Sequence, residues 1–149
     1  MSQNNRKVED AAAVTCVGKT YPDQQKKDRC ADASGSVALS GVTVKAAPLA
    51  KKKDVLGTQE LCSKVSLTNG SDTNQDYNIF DFKVQPPSGA VESASTLTIA
   101  ETLGSGTLIR GASKTGLVCT DDKGEKGEYV LIYKPSPFAA DRGIWLFTV

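Results

Sequence analysis

From Val14 onward, short runs of β-branched and aromatic residues are interrupted by Gly, Pro, Asn or Asp about every ten residues. That punctuation leaves no stretch of eleven or more residues with an unbroken i, i+3, i+4, i+7 apolar stripe, so a helical architecture has little support. Frequent turns between short strands point instead to an all-β domain. The expectation is an immunoglobulin-like antiparallel β-sandwich of about seven to eight strands. At 149 residues the chain suits one core. Residues 1–13, polar and then alanine-rich, are expected to be a flexible N-terminal tail, and residues 14–149 the domain.

Alternation places the strands. Val37 and Leu39 lie on one face, and after Gly41 the register slips to Val42, Val44 and Ala46, which suggests a bulge or bend. Leu61, Val65 and Leu67 form the next apolar face, and Asn69-Gly70 is expected to make a tight turn. Asn69-Gly70-Ser71 also fits the glycosylation acceptor pattern. Residues 77–85 read as one strand with Phe80, Phe82 and Val84 on one side and Ile79, Asp81 and Lys83 on the other. Leu97 and Ile99 hint at a short edge strand, and Leu103-Gly104-Ser105-Gly106 opens a loop. Residues 114–120, 128–134 and 143–147 are three further strands. Their apolar runs, Val130-Leu131-Ile132-Tyr133 and Ile144-Trp145-Leu146-Phe147, fall far short of the roughly 20 residues a membrane helix needs.

Eighteen basic against seventeen acidic side chains leave a formal charge of +1, which argues against a nucleic-acid partner. Lys26-Lys27 and Lys51-Lys52-Lys53 sit among loop-type residues and read as solvated faces. Cys16, Cys30, Cys62 and Cys119 are spaced too widely for a zinc knuckle, so two disulfides in an oxidising, extracytosolic compartment are the better reading. The chain contains no histidine, which removes the commonest proton carrier of hydrolases and the usual partner of a catalytic thiol. The chain is therefore expected to be no enzyme and to need no cofactor or metal. It opens on Met1-Ser2-Gln3-Asn4-Asn5-Arg6, so the leader of an exported precursor is expected to have been removed.

At Gly127-Glu128-Tyr129-Val130-Leu131 the chain looks like the corner of an immunoglobulin domain, where a tyrosine hydroxyl bonds to backbone upstream. Tyr129 could play that part or simply pack in the core. A longer resemblance runs from Leu61 to Trp145. Leu61-Cys62, Tyr77-Asn78 with Phe80-Asp81-Phe82, Pro87-Ser88-Gly89, Val118-Cys119, Tyr133-Lys134-Pro135 and Asp141-Arg142-Gly143-Ile144-Trp145 occur in consistent order. This set resembles a family of secreted, chiefly actinobacterial domains of unknown function, similar in fold to a secreted mycobacterial immunogenic antigen. The resemblance implies an exported or lipid-anchored module without established enzymatic activity. It also implies that Cys62 pairs with Cys119 and Cys16 with Cys30. Because Cys62 falls opposite Leu61, Val65 and Leu67, its bridge is expected on a sheet's outer face.

Few residues carry chemistry. Asp121-Asp122 with Glu125 and Glu128 form the one dense acidic cluster; in a Gly-Lys-rich turn such acids are usually solvated or cap the turn, with weak calcium binding as the alternative. Asp81 could be a buried carboxylate paired with Arg142 or an outward strand residue. Trp145 is expected in the core, although with Tyr133, Pro135, Pro137 and Phe138 it could instead edge an exposed patch. Loops bearing Tyr77, Phe138 and Arg142 are expected to present any ligand surface, to an extracellular protein or glycan. The sequence assigns no oligomeric state. The expected role is a secreted or cell-surface binding module, with a structural spacer, or a small secreted carboxylate-based enzyme or inhibitor, as the alternatives.

Overall fold

The computed structural model describes residues 16, 18–95, 101–136 and 139–149. The tail at residues 1–13, the Leu97–Ile99 segment and Phe138 therefore lie outside the described residues. The strands in chain order are β1 (Arg29–Cys30), β2 (Ser36–Leu39), β3 (Val42–Ala46), β4 (Ala50–Lys53), β5 (Gln59–Asn69) and β6 (Gln75–Asn78). After a single 3-10 turn (Ile79–Asp81) come β7 (Phe82–Gln85), β8 (Glu92–Ser93), β9 (Ser105–Leu108), β10 (Ser113–Asp121), β11 (Glu128–Tyr133) and β12 (Gly143–Thr148).

Two five-stranded sheets form the sandwich. One has the order β1-β12-β11-β7-β8; in the other β10, β5, β3 and β2 follow in turn, and β4 joins β5 beside β3. The small β6–β9 ribbon stands apart. β3 and β4 share one edge of β5 end to end, β3 on Val65–Asn69 and β4 on Gln59–Cys62. Nearly all pairings are antiparallel, but β1 runs parallel to β12. Many of these segments have only two to four residues, too few for alternation to reveal, which is why they exceed the seven or eight expected.

The core lies between the sheets, built from Val37, Leu39, Val42, Val44, Leu61, Val65, Leu67 and Val118 on one side and Phe82, Val84, Tyr129, Leu131, Tyr133 and Trp145 on the other. β11 is buried on both faces, which explains its unbroken apolar run. Its outward residues Val130 and Ile132 are covered by the N-terminal segment through Cys16 and Tyr21.

Three local expectations are corrected. The slip after Gly41 is a two-residue hairpin: Leu39 faces Val42, and Ser40 and Gly41 both take positive φ (53° and 82°). Residues facing each other across a hairpin share one side of the sheet, so the apolar parity flips as it would at a bulge. Asn69-Gly70 forms no tight turn, since Gly70 stays outside the left-handed region and a longer loop leads to β6. Residues 77–85 are likewise not one strand. Asn78 accepts the Phe80 N–H at 2.8 Å and Asp81 accepts the Asn78 N–H at 3.1 Å, a capping box around the 3-10 turn. The turn swaps the two neighbours, burying Ile79 and leaving Phe80 53% exposed.

The segment after Leu103 also becomes a strand, β9. Gly116 lets it cross, because a Cβ there would sit 2.5 Å from the Leu103 Cα. Lys51-Lys52-Lys53 form the fully exposed strand β4 rather than a loop.

Asn69 is fully buried. Its amide nitrogen donates to the carbonyls of Thr73 and Leu108, each at 2.8 Å, and its oxygen accepts the Ser71 N–H and hydroxyl at 2.9 and 2.7 Å. In the folded chain this engagement leaves no face of the Asn69 amide open to solvent. Asn69→Ala is expected to destabilise by about 2–3 kcal/mol, since it orphans several buried groups at once. A fall in the urea midpoint worth under 0.5 kcal/mol would show that the amide holds nothing (about one ordinary surface substitution).

Candidate functional site

Cys62 and Cys119 are bonded to each other as facing residues of β5 and β10, and Cys16 is bonded to Cys30. The first bridge lies outside the inter-sheet core, with Leu117 packed against it. The second fastens the N-terminal segment to β1 at the sandwich edge.

That segment carries a buried ion pair. Arg142 grips Asp28 with two parallel bonds, Nε to Oδ1 and Nη2 to Oδ2, each 2.8 Å. The Tyr21 hydroxyl donates to the same carboxylate at 2.7 Å and the Gln25 N–H at 3.0 Å. Burial pushes the Asp28 carboxyl up, but Arg142, the Gln25 amide and Tyr21 together hold it below the ordinary carboxylate range. Burial and the bond to Asp28 push the Tyr21 phenol up. Arg142 further donates to the Asp23 carbonyl at 3.2 Å, pinning a residue whose φ is +61°. Asp28 had no local pattern to mark it; it meets Arg142 only through tertiary packing.

Beside this pair, the end of the 3-10 turn, β7, β11 and the N-terminal segment enclose a cleft of about 320 Å³. Ile132 forms part of its apolar lining, and Phe80 and Val91, 53% and 46% exposed, contribute the rest. Asp23, Asp81, Lys83, Lys134 and Arg142 supply charges of both signs. Asp81 is half-buried, and desolvation lifts its carboxyl to about 6 against the opposing pull of the Asn78 N–H and Lys83. The sign follows: a carboxyl raised in the folded state favours folding at low pH, and that contribution is lost as pH rises from its unfolded value near 4 through about 6. Asp81→Asn is therefore expected to flatten the stability profile between about pH 4 and 6 while leaving the fold intact. Thermal melts across that range check it; an unchanged slope in the variant would remove Asp81 as its source.

The sequence-derived sites fare unevenly. Asp81 does not pair with Arg142, which is committed to Asp28, but both line the cleft. Arg142 lies in the loop that leads into β12 but is only 7% exposed, so it braces the cleft rather than presenting a free side chain. Tyr77 is half-buried on β6 against the core and over Gly106, apart from the cleft. Of these two, only Arg142 lines the cleft. Tyr129 does both things considered: it is buried in the core and donates its hydroxyl to the Glu125 carbonyl at 2.8 Å. Trp145 is buried with its Nε1 donating to the Gly35 carbonyl at 2.7 Å, and Tyr133 is buried too, so neither edges an exposed patch. The acidic cluster disperses: Asp122 caps Gly124 and pairs with Lys51, while Glu125 accepts from Ser88. No group of three metal-ligating side chains occurs among the described residues.

Phe80, Val91 and Lys134 were missed. The readable signal was Asn78 three residues before Asp81, the spacing that turns Phe80 outward. A second concavity, about 340 Å³ near Trp145 and Phe147, is a weaker candidate because its Asp32 carboxylate is used by Ser34 and Ser36 of its own turn.

The fold and cleft define a disulfide-linked immunoglobulin-like β-sandwich with an amphipathic concavity on one outer face. Among solved structures it is similar to MPT63, a secreted protein from Mycobacterium tuberculosis, with a TM-score of 0.57 at 10% identity over 88% of this chain and 100% of that one. It is also similar to an uncharacterized β-sandwich protein from Clostridium difficile (TM-score 0.52, 13% identity, 85% of this chain and 99% of that one). A putative lipoprotein, YcdA, from Bacillus subtilis matches with a TM-score of 0.57 and 16% identity over 79% of this chain but only 39% of its own. No family model matches the chain, and no curated protein matches it.

Proposed function

We propose that the chain is an extracellular, non-catalytic binding module of the bacterial cell envelope, and that it binds a protein or glycan in the cleft beside Asp81. The observation that carries this reading is the convergence of two exposed apolar side chains, Phe80 and Val91, with charged groups on one concavity of about 320 Å³. Isolated exposed apolar residues are ordinary, but apolar residues gathered in a cleft with a few polar groups are the usual form of a ligand site. Two disulfides fit an oxidising compartment. The secreted and lipoprotein descriptions of two structural neighbours, and the resemblance to secreted actinobacterial domains, support placement outside the cytosol. Arg142 serves as a positioning residue through Asp28 and Asp23.

The test is nitrogen-15 amide shift mapping with separated envelope protein and polysaccharide fractions. Saturable shifts at Phe80, Lys83 and Val91 with one fraction, abolished by Phe80→Ala with Val91→Ser at unchanged melting temperature, are expected. Shifts with neither fraction would leave a structural spacer as the better description.

A further inference from the structure

The charge arrangement of the cleft narrows the ligand. Lys83, Lys134 and Arg142 would repel a cation, while Asp23 and Asp81 would repel an anion. Arg142 is already balanced by Asp28 at 2.8 Å, so its fixed charge offers little to an incoming anion. What remains is a mixture of strong donors and acceptors: ammonium groups that only donate and carboxylates that, ionised, only accept. Hydroxyl groups do both, so a ring carrying several of them can satisfy each side of such a cleft without bringing a charge of its own. Phe80 lines the same cleft, on a capped 3-10 turn that fixes its outward direction, with half of its surface open. An aromatic face held beside polar groups matches the apolar C–H face of a pyranose, whose rim of hydroxyls then reaches the charged side chains. A cleft of about 320 Å³ sits at the lower end of the volumes that take small ligands, suited to a short run of sugar rings rather than a folded protein surface.

Resting on the binding reading above, we infer that the cleft is a saccharide site that takes a neutral pyranose unit of a glycan, stacked on Phe80 and hydrogen-bonded by Asp81, Lys83 and Lys134.

The probes are N,N′,N″-triacetylchitotriose, maltotriose and mannotriose as neutral trisaccharides, trigalacturonate as the anionic control and the glucosamine trimer as the cationic one. Each is titrated into the nitrogen-15-labelled chain. At least one neutral trisaccharide is expected to give saturable shifts at Phe80, Asp81 and Lys83, binding at least tenfold more tightly than either charged trimer. Phe80→Ala should weaken that binding by tenfold or more and Phe80→Trp should restore it, since a larger aromatic face serves the same stacking. Because Phe80 is exposed, neither change should shift the melting temperature, and Val55→Ser with Leu56→Ser, at an exposed turn elsewhere, should leave binding unchanged. The inference is overturned if none of the neutral trisaccharides binds, if a charged trimer binds better, or if Phe80→Trp fails to rescue. Should an envelope protein fraction shift the same amides while all five trimers leave them still, the cleft remains a binding site and the saccharide assignment alone fails. Should every fraction and every trimer leave the cleft unmoved, both fall together.

Discussion

Replacing Arg142 by methionine is expected to cost the fold about 3–5 kcal/mol at pH 7, read as a fall in the urea midpoint. Methionine keeps much of the side chain's volume, so the loss would measure charge rather than packing. Asp28 is 2% exposed and would remain behind with Tyr21 and the Gln25 amide as donors but no opposing charge. Breaking a buried pair on one side is more damaging than never having built it, because the surviving charge keeps its desolvation cost. Asp28→Leu combined with Arg142→Met should accordingly recover part of the loss.

The pH dependence separates this account from a packing defect. In the native chain the Asp28 carboxyl is held low, so its contribution is fully present above the unfolded value near 4 and is lost as pH falls through the depressed folded value. In Arg142→Met the guanidinium is gone and burial dominates, raising that carboxyl. The variant's penalty should then shrink as pH is lowered toward 4, where the stranded acid becomes neutral. A penalty constant between pH 4 and 8 would mean that shape, and not charge, was lost.

Removing the Cys62–Cys119 bridge by paired alanine substitution should cost about 4 kcal/mol, against about 3 for the Cys16–Cys30 bridge, on the chain-entropy scale for separations of 57 and 14 residues. The two losses should also differ in place. The first bridge joins β5 to β10, the longest ladder of the fold, so its removal lowers stability throughout. The second holds the segment that covers Val130 and Ile132, so amides of β11 and β12 should exchange faster before the rest of the molecule does. Hydrogen exchange on both variants reads the distinction. Equal midpoints for the native chain and the Cys62→Ala, Cys119→Ala pair would contradict it.

The parts of this architecture that could be read from the sequence are those decided within a few residues. Alternation at Val42, Val44 and Ala46 and the apolar run at Val130–Tyr133 mark strands because one or both faces must be dry. Ser40-Gly41 was readable only as a change of parity, which a bulge and a two-residue hairpin produce alike. The outward turn of Phe80 was encoded locally, in the Asn78 and Asp81 pair, yet alternation through Phe82 and Val84 overrode it. The cleft was beyond local reading altogether. It requires Asp23 and Gln25 to lie beside Phe80 and Lys134, a meeting set by Arg142 and Asp28 across 114 residues of chain.

The parallel pairing of β1 with β12 determines how the sandwich would answer a pull applied at its two ends. Tension entering at Cys16 would pass through sulfur to Cys30 and bypass the intervening loop, leaving the Asp28–Arg142 grip unloaded. At β1 and β12 the opposed forces would run along the strands, so the bonds from the Arg29 and Ala31 amides to the Arg142 and Ile144 carbonyls must slide and break together rather than unzip singly. Once the sulfur link is reduced, the same pull would load the Asp28–Arg142 grip before it reached those bonds.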